Sequence, residues 1–171
     1  MNLQSGEIAK TNSNAQTFFR IIHNPIKFRL FLLKKLPSAF FSGVRIKQAD
    51  ENACLVTVPY KWFSTNPFRS TYFACLSMAA EMSTGVLAMA HVYRLNPKVS
   101  MLVTKVEGRF FKKATGKTLF TCSDGKRIKE VIQTAYTTGD PQQISVDSIG
   151  KNNAGETVAE FTITWSFKRK S

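Results

Sequence analysis

The residues that could do chemistry gather in one stretch, "NPFRSTYFACLSMAAEMSTGVLAMA", Asn66 to Ala90. After Ser70 it predicts a helix that is apolar on nearly every side, and Glu81 is its only acid. A lone carboxylate in such a setting is costly, so it must be neutral, paired, or open to a wet cleft. A carboxyl whose pKa is raised by burial suits a general base near neutral pH. A structural acid bound to a lysine, an arginine or a backbone amide across an interface fits the same pattern. The residues alone leave both readings open.

Other reactive side chains point less clearly to a site. Ser77 has no G-x-S-x-G elbow around it and is expected to bond its own helix backbone. His23 and His91 are the only histidines, without metal-ligand spacing, and His91 is expected to serve the dipole at the helix C-terminus. Cys54, Cys75 and Cys122 sit in apolar strings and form no CxxC pair, so reduced core cysteines are expected, with no metal site. There is no glycine-rich phosphate loop, and no cofactor is expected. The polar start from Met1 to Asn14 lacks the apolar core of a signal peptide, and a cytoplasmic location is the expectation.

The elements that must position Glu81 can be read from the rest of the chain. Its 171 residues, 43% hydrophobic and 20% charged, suffice for one globular domain. Residues 1–15 read as a flexible polar tail and residues 16–42 as one or two helical segments, with Asn24 as N-cap and Pro25 at the first helical position. From residue 43 to 171 the pattern is two short strands, the long apolar helix, then four strands interrupted by one short helix. Asp50-Glu51-Asn52 and Asn152 to Gly155 mark hairpin turns, Gly108 a bulge, Asp124 a helix cap and Gly139 a helix end. An antiparallel sheet wrapped around the long helix would bury that helix on every side. A membrane span is disfavoured, because a carboxylate at bilayer depth costs about 3 kcal/mol even on the lenient insertion scale.

Asn66, Tyr72 six residues later and Glu81 nine beyond it carry a resemblance. The segment resembles that of hotdog-fold acyl-CoA thioesterases of the phenylacetate-pathway type, N-x-x-G-x-x-H-G-G with an Asp or Glu nine residues after the His. It is most similar to a branch reading roughly N-x-x-x-S-x-Y-x-x-A-x-x-x-x-x-E-x-x-x-G, here Asn66, Ser70, Tyr72, Ala80 or its neighbours, Glu81 and Gly85. Arg69 stands where the family has its first Gly, and Tyr72-Phe73-Ala74 replaces His-Gly-Gly. The resemblance implies an α+β hotdog fold with extra N-terminal helices, assembled as a homodimer or homotetramer. It implies a catalytic set of Glu81, Tyr72 and Asn66, with the Phe73 and Ala74 amides polarising a thioester carbonyl and Glu81 coming from the facing subunit. The unsatisfied first amides of a helix make such donors physically sensible.

The formal charge of +13 calls for an anionic partner or a solvated basic face. For an acyl-CoA ligand, Ser70, Arg109, Lys112 and Lys113 are candidate binding residues, with Lys126, Arg127 and Lys129 nearby in sequence. Phe110 and Phe111 would line the acyl slot or fill the core. The alternative is a non-catalytic binder of a fatty-acyl chain or lipid, touching membranes through the basic N-terminal helices. Nucleic acid fits poorly, because the aromatics are mostly phenylalanines within apolar strings rather than an exposed stacking platform.

Overall fold

The computed structural model describes residues 3–170, with side chains from residue 13 onward. Three helices precede the sheet: α1 (Leu3–Ile22), α2 (Pro25–Lys35) and α3 (Pro37–Ser42). The stretch expected as a tail to residue 15 is therefore largely helical, with Met1 and Asn2 outside the described residues. Ala15, Phe18, Phe19 and Ile22 are buried, and α1 docks on the long helix. A docked turn is a nucleus from which helix extends at little further cost. Asn24 caps α2, its side-chain oxygen accepting the Lys27 N–H at 3.0 Å.

The remaining elements are β1 (Arg45–Ala49), β2 (Cys54–Val58), α4 (Phe73–Val92), β3 (Val99–Phe110), β4 (Thr118–Cys122), α5 (Gly125–Thr138), β5 (Gln142–Lys151) and β6 (Thr157–Arg169). The strands form one sheet in the order β1-β2-β4-β5-β6-β3, antiparallel throughout. β5 and β6 alternate buried and less buried residues, so one face is the core and the other faces solvent. The sheet curls around α4, while α1 and α5 pack against the helix as well. This is the hotdog architecture, and it answers why α4 is apolar all round. By length and composition α4 could cross a membrane, but here it is the core helix.

The polar residues of α4 pin it to the sheet. Ser83 shares a 2.7 Å hydrogen bond with Ser148 of β5, and the Trp165 indole N–H donates to Thr84 at 2.9 Å. Both contacts are buried, and each satisfies groups that would be costly if left alone.

The hairpin turns form where the sequence puts them. Asp50 Oδ1 accepts the Asn52 and Ala53 amides, and Asn152 Oδ1 accepts those of Ala154 and Glu156. Two local expectations need correction. The bulge in β3 falls between Val103 and Lys105, where the register slips; Gly108 instead makes room for the Phe161 ring, which would meet a Cβ at 2.9 Å. Asp124 occupies the N-cap position of α5 without capping it. Its carboxylate receives Arg127 at 2.8 Å and the Asp147 N–H at 3.3 Å, tying the helix start to β5.

Gly125 marks the tightest contact between the β1–β2 turn and α5. Its N–H bonds Asn52 O at 3.0 Å, and a Cβ there would meet Glu51 O at 2.1 Å. Backbone cannot yield as a side-chain tip can, so Gly125→Ala is expected to cost about 1–3 kcal/mol. Urea unfolding would read this as a lower midpoint at unchanged m-value; an unchanged midpoint would show that the turn yields freely.

Candidate functional site

Glu81 lies on the wall of an apolar cavity of about 310 Å³. Successive turns of α4 present Glu81, Gly85 and Met89 to it at helical spacing, and α1 and α2 close the opposite side with Phe18, Phe28, Phe31 and Leu32. A Cβ on Gly85 would lie 3.2 Å from Glu81 Oε1, so the carboxyl folds back over its own helix. Among the described residues, no ion pair includes Glu81. Burial pushes its pKa above the ordinary carboxylate value. The acid is thus neither sealed by a guanidinium nor remote from an opening.

A second hollow, about 590 Å³ and more open, surrounds the start of α4. It gathers Asn66, Ser70, Tyr72, Phe73, Lys112 and Lys113 of the expected set, with Phe68, Phe110 and Phe111 as its apolar rim. Tyr72 is the N-cap residue and provides no side-chain cap. The first amides of α4, those of Phe73 and Ala74, have no intrahelical acceptor and carry the positive end of the helix dipole.

The loop before this helix is built by Asn66. Its Oδ1 accepts the Phe68 and Ser70 amides and the Ser70 hydroxyl at 3.0–3.2 Å. The carboxamide oxygen is therefore spent on shaping the loop. Arg69 takes a left-handed conformation with φ +57°, which accounts physically for a glycine at this position in the resembling family. Lys113 reaches the Phe68 carbonyl at 3.4 Å, and Lys112 is bound to Glu156.

Arg109 is not part of this gathering. It lies on the solvent face of the sheet with Glu107, Asp147, Glu160 and Thr162. Its neighbours Gly108 and Phe110 take the inner face, paired with buried Phe161 and Ala159. Two basic residues of α5 are engaged, Arg127 by Asp124 and Lys129 by Glu51 at 3.7 Å.

His91 also departs from expectation. It is 2% exposed, and neither ring nitrogen finds a partner among the described residues. Burial first, and Lys129 second, lower its pKa to about 4, so it is neutral at pH 7 and brings no charge to the helix end.

Glu81 and the amides of Phe73 and Ala74 share one helix but are seven to eight residues apart. At 1.5 Å per residue that is about 11–12 Å along the axis, too far for both to act on one carbonyl. Within one chain, therefore, the acid and the helix start do not form a single site. β3 is a twelve-residue edge strand with Leu102 and Val106 exposed. Such an edge invites pairing with a further strand.

No local sequence signal marks the cavity walls that α1 and α2 supply. Phe110 and Phe111, expected to line a slot or fill the core, are exposed on the rim of the second hollow.

Residues 27–167 match the model of a family described as "Domain of unknown function (DUF4442)". No curated protein matches the chain. Among solved structures, a Pseudomonas aeruginosa protein described as a probable thioesterase superposes with a TM-score of 0.71 at 20% identity, over 85% of this chain and 97% of that one. A Chlorobaculum tepidum protein with unknown function gives 0.72 at 18% identity, over 84% and 93%. A Haemophilus influenzae thioesterase gives 0.58 at 11% identity, over 82% and 88%. At these identities the likeness carries the fold, which is that of the thioesterase-like hotdog proteins.

Proposed function

Since the chain belongs to the DUF4442 family, whose description names no reaction, we propose from its geometry that it hydrolyses acyl thioesters of coenzyme A. The sites would be composite, two in each homodimer formed along β3. The observation that carries this reading is Glu81, an acid without a cationic partner among the described residues, on the wall of an apolar cavity.

In this reading the acyl chain lies in the cavity and the thioester carbonyl faces the Phe73 and Ala74 amides of the second chain. Glu81 takes a proton from water, and the hydroxide adds to the carbonyl carbon. The two amides hold the oxyanion, in a setting drier and more ordered than water. Collapse breaks the carbon–sulfur bond, and the departing thiolate recovers the proton. Lys113, at the second hollow, supplies positive charge toward the phosphates of coenzyme A. The buried free cysteines suit a reducing compartment, in keeping with a cytoplasmic protein.

Phe73→Pro tests the composite site cleanly. Proline is at home in the first position of a helix, and Tyr72 already has the extended backbone that precedes it comfortably (φ −61°, ψ 133°). The change deletes one amide donor and is expected to lower turnover about 10²- to 10³-fold. Co-refolding Phe73→Pro with Glu81→Gln should restore roughly a quarter of wild-type activity, because half the dimers are mixed and each carries one intact site. No restoration would show that the acid and the amides act within one chain or not at all.

A second reading follows from the aromatic rim. Phe73, which stands where the resembling enzymes have glycine, and Phe68 line the hollow at the amides, which favours a non-catalytic binder of acyl chains. A fatty acid retained through purification, with no turnover of short, medium or long acyl-CoA, would select it.

A further inference from the structure

We infer that α2, α3 and the turn after β2 form a docking surface for anionic lipid bilayers. This goes beyond the proposed reaction and does not depend on it.

α2 is apolar on two sides. Phe28 and Leu32 are buried against the domain, whereas Ile26, Leu30 and Leu33 are exposed, Ile26 to 72%. Positions 26, 30 and 33 recur at helical spacing, so they form a solvent-facing apolar stripe. Lys27 and Lys34 flank it on one side by the same spacing. Arg29, on the other side, lies over the Phe40 ring at 3.7 Å. The apolar surface continues through α3, where Phe41 stacks on Phe63 at 5.4 Å, to Trp62, exposed to 82%. An unburied indole beside lysines is the composition of a membrane–water interface.

Charge decides between a lipid surface and a second copy of the chain. From residue 8 to residue 49 there is no Asp or Glu, whereas Lys10, Arg20, Lys27, Arg29, Lys34, Lys35, Arg45 and Lys47 are all basic. An isologous contact would press two such patches together and repel. An anionic leaflet attracts the same patch. The surface also adjoins the Glu81 cavity, because Ile21, Phe31 and Leu36 line that cavity while remaining at least 40% exposed. An acyl chain could thus pass between bilayer and cavity over apolar side chains.

The test is co-flotation of the full chain with vesicles of phosphatidylcholine and phosphatidylserine, against vesicles of phosphatidylcholine alone. Binding to the mixed vesicles only is expected. Lys34→Gln with Lys35→Gln should weaken it about 30-fold. Ile26→Ser, Leu30→Ser and Trp62→Ser together should abolish it at an unchanged far-UV spectrum and melting temperature. None of these residues lines the Glu81 cavity, so acyl-CoA turnover in solution should persist and report separately on the proposed reaction. Absence of vesicle binding overturns the inference. So does binding that survives the apolar substitutions, which would be electrostatic adsorption alone. A shift of the apolar variant from dimer to monomer in light scattering, with vesicle binding intact, would make the patch a protein interface.

Discussion

Glu81→Gln is expected to lower acyl-CoA turnover by about 10²- to 10⁴-fold, the range that a positioned general base contributes. The same substitution should make the fold more stable at neutral pH. Burial raises the carboxyl pKa in the native state, so the native protein keeps a proton that the unfolded chain has already released. Stability is then lost as pH rises from the ordinary carboxylate value through the raised one. Glutamine keeps the shape without the charge, so the variant should match the wild type in acid and gain on it with rising pH. Urea midpoints at several pH values, set beside initial rates, would measure both halves. Loss of activity without a pH-dependent gain would mean that the acid is solvated in the folded state. Full activity in the variant would remove Glu81 from the chemistry.

The second large effect concerns His91, and its sign is opposite. The imidazole is held neutral, its pKa lowered to about 4 by burial and by Lys129. Lys129 faces it across a small space that Gln133 and Tyr136 also line. The unfolded chain takes up a proton near pH 6.5, where the native ring refuses it. The stability contributed by neutrality is therefore complete above pH 6.5 and is lost as pH falls toward 4. A difference of that size corresponds to about 3 kcal/mol. His91→Leu should flatten this acid limb. It should also remove two buried nitrogens that lack partners among the described residues, adding about 1–3 kcal/mol at neutral pH. Thermal melts from pH 4 to 8 would follow both variant and wild type. A variant that remains as acid-labile as the wild type would assign the limb to other groups.

The order of strands and helices was legible because each element carries its own period: alternation in β5 and β6, apolarity all round in α4, and turn residues between. Glu81 was legible because one acid in a greasy helix contradicts its surroundings. What the sequence hid depends on register and docking. Without a bulge in β3, Val103, Lys105, Glu107 and Arg109 would share a face. The slip after Val103 turns Val106, Gly108 and Phe110 inward and sends Arg109 outward. A single residue of slip thus separates Arg109 from the site it was expected to serve. The cavity was hidden for another reason, since its far wall comes from α1 and α2, some fifty residues before Glu81. No local pattern says where those helices will lie.

Gly85 ties helix, acid and sheet together. A glycine inside a helix costs about 1 kcal/mol relative to alanine, and here the vacancy is shared by Glu81 Oε1 and the Trp165 ring, each 3.2 Å from the missing methyl. The notch is the berth in which the carboxylate rests. One added carbon would press on both, so the acid and the indole would have to yield by a few tenths of an ångström to keep their places.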